Sequence, residues 1–259
     1  MKSILRSTAL FFVCSSFAIA QGAAPARAGS VSDAGFLATA GQAASLGGNS
    51  ATQAGPDLKT VLAEMNKAAA AFKSAQADFE WDQYTDIVKE HDVQKGQIFF
   101  RRTKNGIDAA VNVRSPEPKQ VTFVDGQLKL YQPRIDQVTV YKAGANRADV
   151  ESFMSLGFGA SGDSLARNFD IKLEGWETVD GVKTAKLELT PKNDKVKSSI
   201  NRILLWVDPQ RAISLKQQFF EPSGDYRLTH YTNIKVNGNI SDKEFRLNTK
   251  STTKVVQPQ

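Results

Sequence analysis

The chain has 259 residues, 41% of them hydrophobic, and a formal net charge of +6. That length can bury an ordinary core. The charges are interspersed, which argues against nucleic acid as a partner, because steering of a polyanion needs a concentrated basic patch. The single cysteine, Cys14, leaves the rest of the chain with no disulfide, no thiolate metal site and no thiol nucleophile.

At the start, Lys2 and Arg6 precede the apolar run "ALFFVCSSFAIA", and Ala18-Ile19-Ala20 forms an A-x-A site before Gln21. This pattern predicts a cleavable export signal over residues 1–20, too short to remain as a membrane span. Val13 stands where a lipid-modified Cys14 would need a small residue, so no acylation is expected there. Subtracting the charges of Lys2 and Arg6 from +6 leaves +4. Residues 21–56 are almost all Ala, Gly, Ser, Thr and Gln, with Arg27 and Asp33 the only charges. Such a segment cannot bury enough apolar surface to offset chain entropy, and it reads as a flexible tether. The folded domain is expected over 57–259.

Asp57 is a good helix N-cap, and Leu58, Val61, Leu62, Met65, Ala69 and Phe72 follow at helical spacing. The period then changes to two. "DFEWDQYT", "QIFFRR", "AAVNV", "QVTFV", "LKLY" and "QVTVY" read as short strands separated by turn residues.

Next comes "SLGFGASGDSL", in which Gly157, Gly159 and Gly162 fit G-x-G-x-x-G. A dinucleotide fingerprint needs a buried strand before it and a helix after it. Here Val150, Phe153 and Met154 lead in at helical spacing, and Ser161 or Asp163 can cap a further short helix. The glycines therefore link two short helices. A second series of strands follows: "FDIKLEG", "KTAKLELTP", "RILLWVD", "ISLKQQFF", "YRLTHYTNIKV" and "EFRL". Asp180-Gly181 and Ser223-Gly224 supply hairpin signals between them, and Asn237-Gly238 supplies another near the end of the series. About a dozen strands without alternating long helices predict one large antiparallel sheet or barrel.

The catalytic inventory is poor. His91 and His230 lack metal-ligand spacing, no G-x-S-x-G occurs, and the nearby carboxylate pairs read as solvated charge. No catalytic residue, metal or cofactor is expected. The apolar inventory is rich. Phe79 and Trp81, Ile98 and Phe100, Leu128 and Leu130, Val138 and Val140, and Leu187 and Leu189 alternate along their strands. On one sheet face they would line a core or a cavity, with the helices around Phe153 and Met154 as its cover. Flexible Met and Phe side chains suit an adaptable apolar site.

The order and spacing of "FKSAQADFE", "GQIFFRR", "DGQLKLYQP", "DQVTVY", "FMSLGFG", "LELTPK", "LWVD" and "EPSGDYRLTHYTNIKVN" resemble the LolA family, periplasmic carriers of outer-membrane lipoproteins. The resemblance runs from about Leu58 to the C-terminus. It implies a mainly β fold with helices (α+β): an unclosed antiparallel β-barrel, an amphipathic helix and a short helical lid over an apolar cavity. It implies binding, not catalysis. A monomeric carrier would take lipoprotein acyl chains from an inner-membrane ABC transporter and pass them to an outer-membrane acceptor. The family's lid-holding arginine falls on Arg102, adjacent to Arg101, and Arg102 shares a strand face with Phe100 and Ile98. Gly157, Gly159 and Gly162 would then be hinges of a lid carrying Phe153 and Met154. Two other readings compete: a lipid-sensing or lipid-binding regulatory module on the same fold, and an exported hydrolase.

Overall fold

In the computed structural model, residues 55–142, 144 and 147–258 are described. The expected export signal, Cys14 and all of the expected tether except Gly55 and Pro56 lie outside the described residues. The packed domain begins slightly before Asp57: the Trp176 indole N–H donates to the Pro56 carbonyl at 3.1 Å.

Asp57 caps helix α1 (Leu58–Ala71), its carboxylate accepting from the Thr60 N–H at 2.9 Å. Val61, Met65 and Ala69 form the buried stripe of this helix. Six strands follow: β1 (Ser74–Thr85), β2 (Glu90–Thr103), β3 (Gly106–Ser115), β4 (Lys119–Val124), β5 (Gln127–Gln132) and β6 (Gln137–Lys142). Two short helices interrupt the series, α2 (Arg147–Met154) and α3 (Gly162–Asn168). Ser161, not Asp163, caps α3, accepting from the Ser164 N–H at 3.1 Å. Then come β7 (Phe169–Val179), β8 (Val182–Pro191), the one-turn α4 (Asp194–Lys197), β9 (Arg202–Asp208), β10 (Ile213–Phe220) and β11 (Tyr226–Val236).

The final strand is not where the sequence places it. "EFRL" is expected as a strand, but Asp242–Phe245 form a 3₁₀ turn whose Ser241 side chain accepts from the Lys243 N–H. Phe245 buries itself beneath Arg101, whose guanidinium lies 4.1 Å from the ring centre. The twelfth strand, β12, is Lys254–Val256, pairing parallel to β6. Asp136 fastens it. Its carboxylate accepts from the Thr252 and Thr253 hydroxyls at 2.7 Å each, and its carbonyl from the Lys254 N–H at 3.0 Å.

All twelve strands form one sheet in the order β12-β6-β5-β4-β3-β2-β1-β11-β10-β9-β8-β7. Every pair except β12–β6 is antiparallel, and the edge strands β7 and β12 do not meet, so the barrel is unclosed. This is the fold class expected from the sequence. The hairpin turns Asp125-Gly126 and Asp180-Gly181 have positive φ at both residues, as the tight connection of twisted strands requires. Asn237 does a different job. Its side chain accepts from the Lys73 N–H at 2.7 Å and donates to the Ala71 carbonyl at 3.1 Å, joining the end of α1 to β1.

Two apolar clusters fill the concave side. One centres on Phe79, Phe100, Phe123, Leu128, Phe158 and Tyr231. The other packs Val61 and Met65 of α1 against Leu187, Leu189, Ile203 and Leu205. A smaller cluster, Phe99, Ala110 and Phe245, covers part of the convex side.

Candidate apolar binding cavity

A cavity of about 270 Å³ opens between the two concave clusters. The first five strands contribute Phe79, Trp81, Ile98, Val111, Val121 and Leu128 to its wall. Helix α2 lies over it with Val150, Phe153 and Met154. The opposite wall is Ile200, Gln217, Phe219, Arg227, Thr229 and Tyr231.

Strand register explains the wall. Ile98 stands opposite Val111, Val111 opposite Val121, and Val121 opposite Leu130, one continuous row across four strands. A second row runs Phe100, Ala109, Phe123, Leu128 and Tyr141.

Of the ten side chains expected in a cavity, Phe79, Trp81, Ile98 and Leu128 line this one. Phe100 is buried beside it, stacked on Phe158 at 4.6 Å. Leu130 shares the row of Val121 but is buried outside the lining. Val138 and Val140 correct the expectation. They pair with Tyr131 and Lys129, which alternate with Leu128 and Leu130, and so stand on the other face. Leu187 and Leu189 are on the concave side but fully covered in the α1 cluster, so they are core.

The segment between α2 and α3 is fastened. Phe158 bridges to Ile213, the Ser214 N–H donates to the Gly157 carbonyl at 2.7 Å, and the Gly159 N–H donates to the Ala212 carbonyl at 2.8 Å. Phe158 inserts between Phe100 and Tyr231, with ring centres 4.6 and 4.9 Å away. Gly157 and Gly159 take φ of +86° and +77°. A Cβ at Gly159 would run into the Phe72 ring. Gly157 and Gly159 let the backbone dock against β10 and against the Phe72 ring at the end of α1. Gly162 likewise has no room for a Cβ, which would collide with the Leu62 carbonyl oxygen.

Arg102 ties this segment to α1. Its Nη1 donates to the Ala69 carbonyl at 2.9 Å and its Nη2 to the Gly159 carbonyl at 3.3 Å. Arg101 points to the other face, donating to Asp108 at 2.9 Å and pairing with Asp242.

Polar groups enter the wall from β10 and β11, and the sequence pattern did not single them out. Buried Gln217 donates to the Leu156 carbonyl at 2.8 Å and accepts from the Tyr231 hydroxyl at 3.3 Å. Burial pushes the Tyr231 phenol far above its ordinary pKa, so it remains a neutral donor. Arg227 pairs with Glu221, Nη2 to Oε1 at 3.4 Å. Burial raises the Glu221 carboxyl, Arg227 opposes that shift, and Asp225 adds to it. His91 and His230 sit outside the cavity, bonded to Asp82 at 2.8 Å and Asp180 at 2.7 Å. Among the described residues no three His, Cys, Asp or Glu side chains converge as a metal site.

A family described as "Uncharacterized protein" matches residues 117–255. The chain belongs to this family. The matched segment includes α2, Gln217 and Arg227, and leaves out α1, Trp81 and Arg102. Among curated proteins none matches the sequence. In fold, the chain is similar to the crystal structure of MucB, at 15% identity and TM-score 0.50, over 77% of this chain and 65% of that one. It thus spans less than two thirds of MucB's length. It is similar also to an uncharacterized conserved protein from Thermus thermophilus, at 12% identity and TM-score 0.50, over 77% of this chain and 98% of that one. A LolA superfamily protein from Nitrosomonas europaea is similar at 14% identity and TM-score 0.37, over 75% of this chain and 99% of that one. The chain thus shares its fold with MucB and with the Thermus thermophilus protein.

Proposed function

We propose that this chain is a carrier that binds lipoprotein acyl chains in the cavity under α2 and moves them through the periplasm from inner to outer membrane. The observation that carries the reading is the cavity itself: about 270 Å³, walled by apolar strand residues and covered by Val150, Phe153 and Met154. A cavity of roughly 150 Å³ holds a benzene ring, so this one accommodates about ten carbons of one chain before the cover moves. Each buried methylene contributes about 0.8 kcal/mol, which offsets the cost of holding an acyl chain in water. A triacyl anchor needs more room, and α2 is the element whose movement would supply it. Arg102, bonded to Ala69 and Gly159, would favour the empty closed form and keep release possible. The donor would be an inner-membrane ABC transporter and the recipient an outer-membrane acceptor, as the LolA resemblance implies.

The test is transfer of a fluorescent diacyl lipopeptide from the loaded protein to acceptor membranes. A carrier takes up the lipopeptide stoichiometrically and releases it when acceptor is supplied. Uptake without release would favour a lipid-sensing regulatory module on the same fold. No uptake would remove both.

A further inference from the structure

Two buried polar atoms of cavity-lining residues have no partner. Trp81 Nε1 and Arg227 Nε are each buried and unbonded, and both residues line the cavity. They belong to adjacent strands and one face. Trp81 stands opposite Thr229, and Arg227 is two residues along β11 from Thr229, the diagonal spacing within reach of long side chains. Buried donors without acceptors are costly, and native structures leave few of them. Both are donors. An alkane chain leaves them unpaired, whereas one oxygen with two lone pairs can satisfy both.

The geometry points to a carbonyl-oxygen subsite: Trp81 Nε1 and Arg227 Nε hold the carbonyl of an acyl chain whose tail lies along Ile98, Val111 and Val121. This inference rests on the acyl-binding reading above and adds the head-group chemistry and its residues. Glu221, 3.4 Å from Arg227 Nη2, holds the guanidinium and counters its charge, so an ester or amide carbonyl suffices and a full negative charge is not required. The shared chemistry is the acyl carbonyl; it can come from a free fatty acid or from an esterified chain.

The experiment uses the folded chain and three ligands built on a laurate-length chain, dodecane, methyl laurate and sodium laurate, competing with the neutral fluorophore 1-aminoanthracene. Methyl laurate should displace the probe at least about tenfold more effectively than dodecane, and Trp81→Phe and Arg227→Met should each cut that preference by about tenfold, the worth of one hydrogen bond of this kind. Displacement by dodecane should change little in either variant. Arg227→Met strands Glu221, so it is also made with Glu221→Gln, while Trp81→Phe removes a donor without touching the ion pair. Laurate binding more tightly than the ester assigns the site to free fatty acids; the reverse assigns it to esterified chains. Equal binding of all three by the unaltered protein overturns the carbonyl subsite and leaves acyl binding standing. If none displaces the probe, the acyl-binding reading falls and the subsite with it.

Discussion

Arg102 and Arg101 are neighbours with opposite surroundings. Arg102 reaches inward to the carbonyls of Ala69 and Gly159; Arg101 reaches outward to Asp108 and Asp242. Replacing Arg102 by Leu removes the bonds to Ala69 and Gly159 that, under the proposed function, break on loading and re-form when the cavity empties. Hydrogen bonds to charged groups are worth about 1.5–3 kcal/mol. Arg102→Leu should therefore hold lipopeptide at least as tightly and release it one to two decades more slowly, read from the transfer rate to acceptor membranes. Arg101→Leu should leave the transfer rate near normal and lower unfolding free energy by about 2 kcal/mol, because it strands buried Asp108. A transfer block in Arg101→Leu alone would reverse the two roles. Which arginine faces inward was legible from strand alternation with Ile98 and Phe100. The faces of Val138 and Val140 were not, because the 3₁₀ turn Pro133–Ile135 and Asp136 intervene, and parity does not carry across a turn of unknown length. Arg227 was missed for a related reason. A polar residue alternating with Leu228 reads as the wet face, and only the register with Trp81's strand puts it inside.

At the level of elements, Phe158 is the aromatic anchor of the 155–162 segment. Phe158 is 2% exposed and stacks on Phe100. Phe158→Ala should cost about 3–5 kcal/mol, the usual range for emptying a buried aromatic site, measured by denaturant unfolding. It should also raise amide exchange at Gly159 and Ser214, whose N–H bonds fasten the segment. A loss below about 1 kcal/mol, far under that range, would mean the segment is not anchored there. The β12 clasp makes a pH-dependent claim. Hydrogen bonds from Thr253 and Thr252 hold the Asp136 carboxyl below its ordinary range. A depressed carboxyl contributes stability above its unfolded pKa and loses it as pH falls through the folded one. The gap in thermal midpoint between the unaltered protein and Asp136→Asn should thus be full at about pH 6 and shrink below about pH 4. A gap that is constant with pH would show that the clasp does not depend on the charge. The two helices flanking the glycines were legible from spacing and capping residues. The fastening was not, since it depends on Ile213 lying alongside Phe158, a partner far along the chain.

For the whole molecule, one open sheet with unpaired edges β7 and β12 holds both a core and a cavity. Helix α1 covers one half of the concave face and makes Leu187 and Leu189 core. The cavity lies beneath α2. Alternation told that one face was apolar, but the division of that face between helix and cavity is decided by where α1 docks, which sequence period does not encode. The division makes the tryptophans separable reporters. Trp81 lines the cavity, Trp176 packs in the α1 cluster, and Trp206 lies on the convex face between Lys186 and Lys216. The most direct measurement is quenching of Trp81 fluorescence, in a variant carrying Trp176→Phe and Trp206→Phe, by an acyl chain brominated at mid-length. Binding in the cavity predicts strong quenching that saturates near one equivalent and is lost when Val111→Phe and Val121→Phe together fill the space between the walls. Absent quenching, or equal quenching in a variant that keeps Trp206 in place of Trp81 and Trp176, would contradict an acyl-binding cavity under α2.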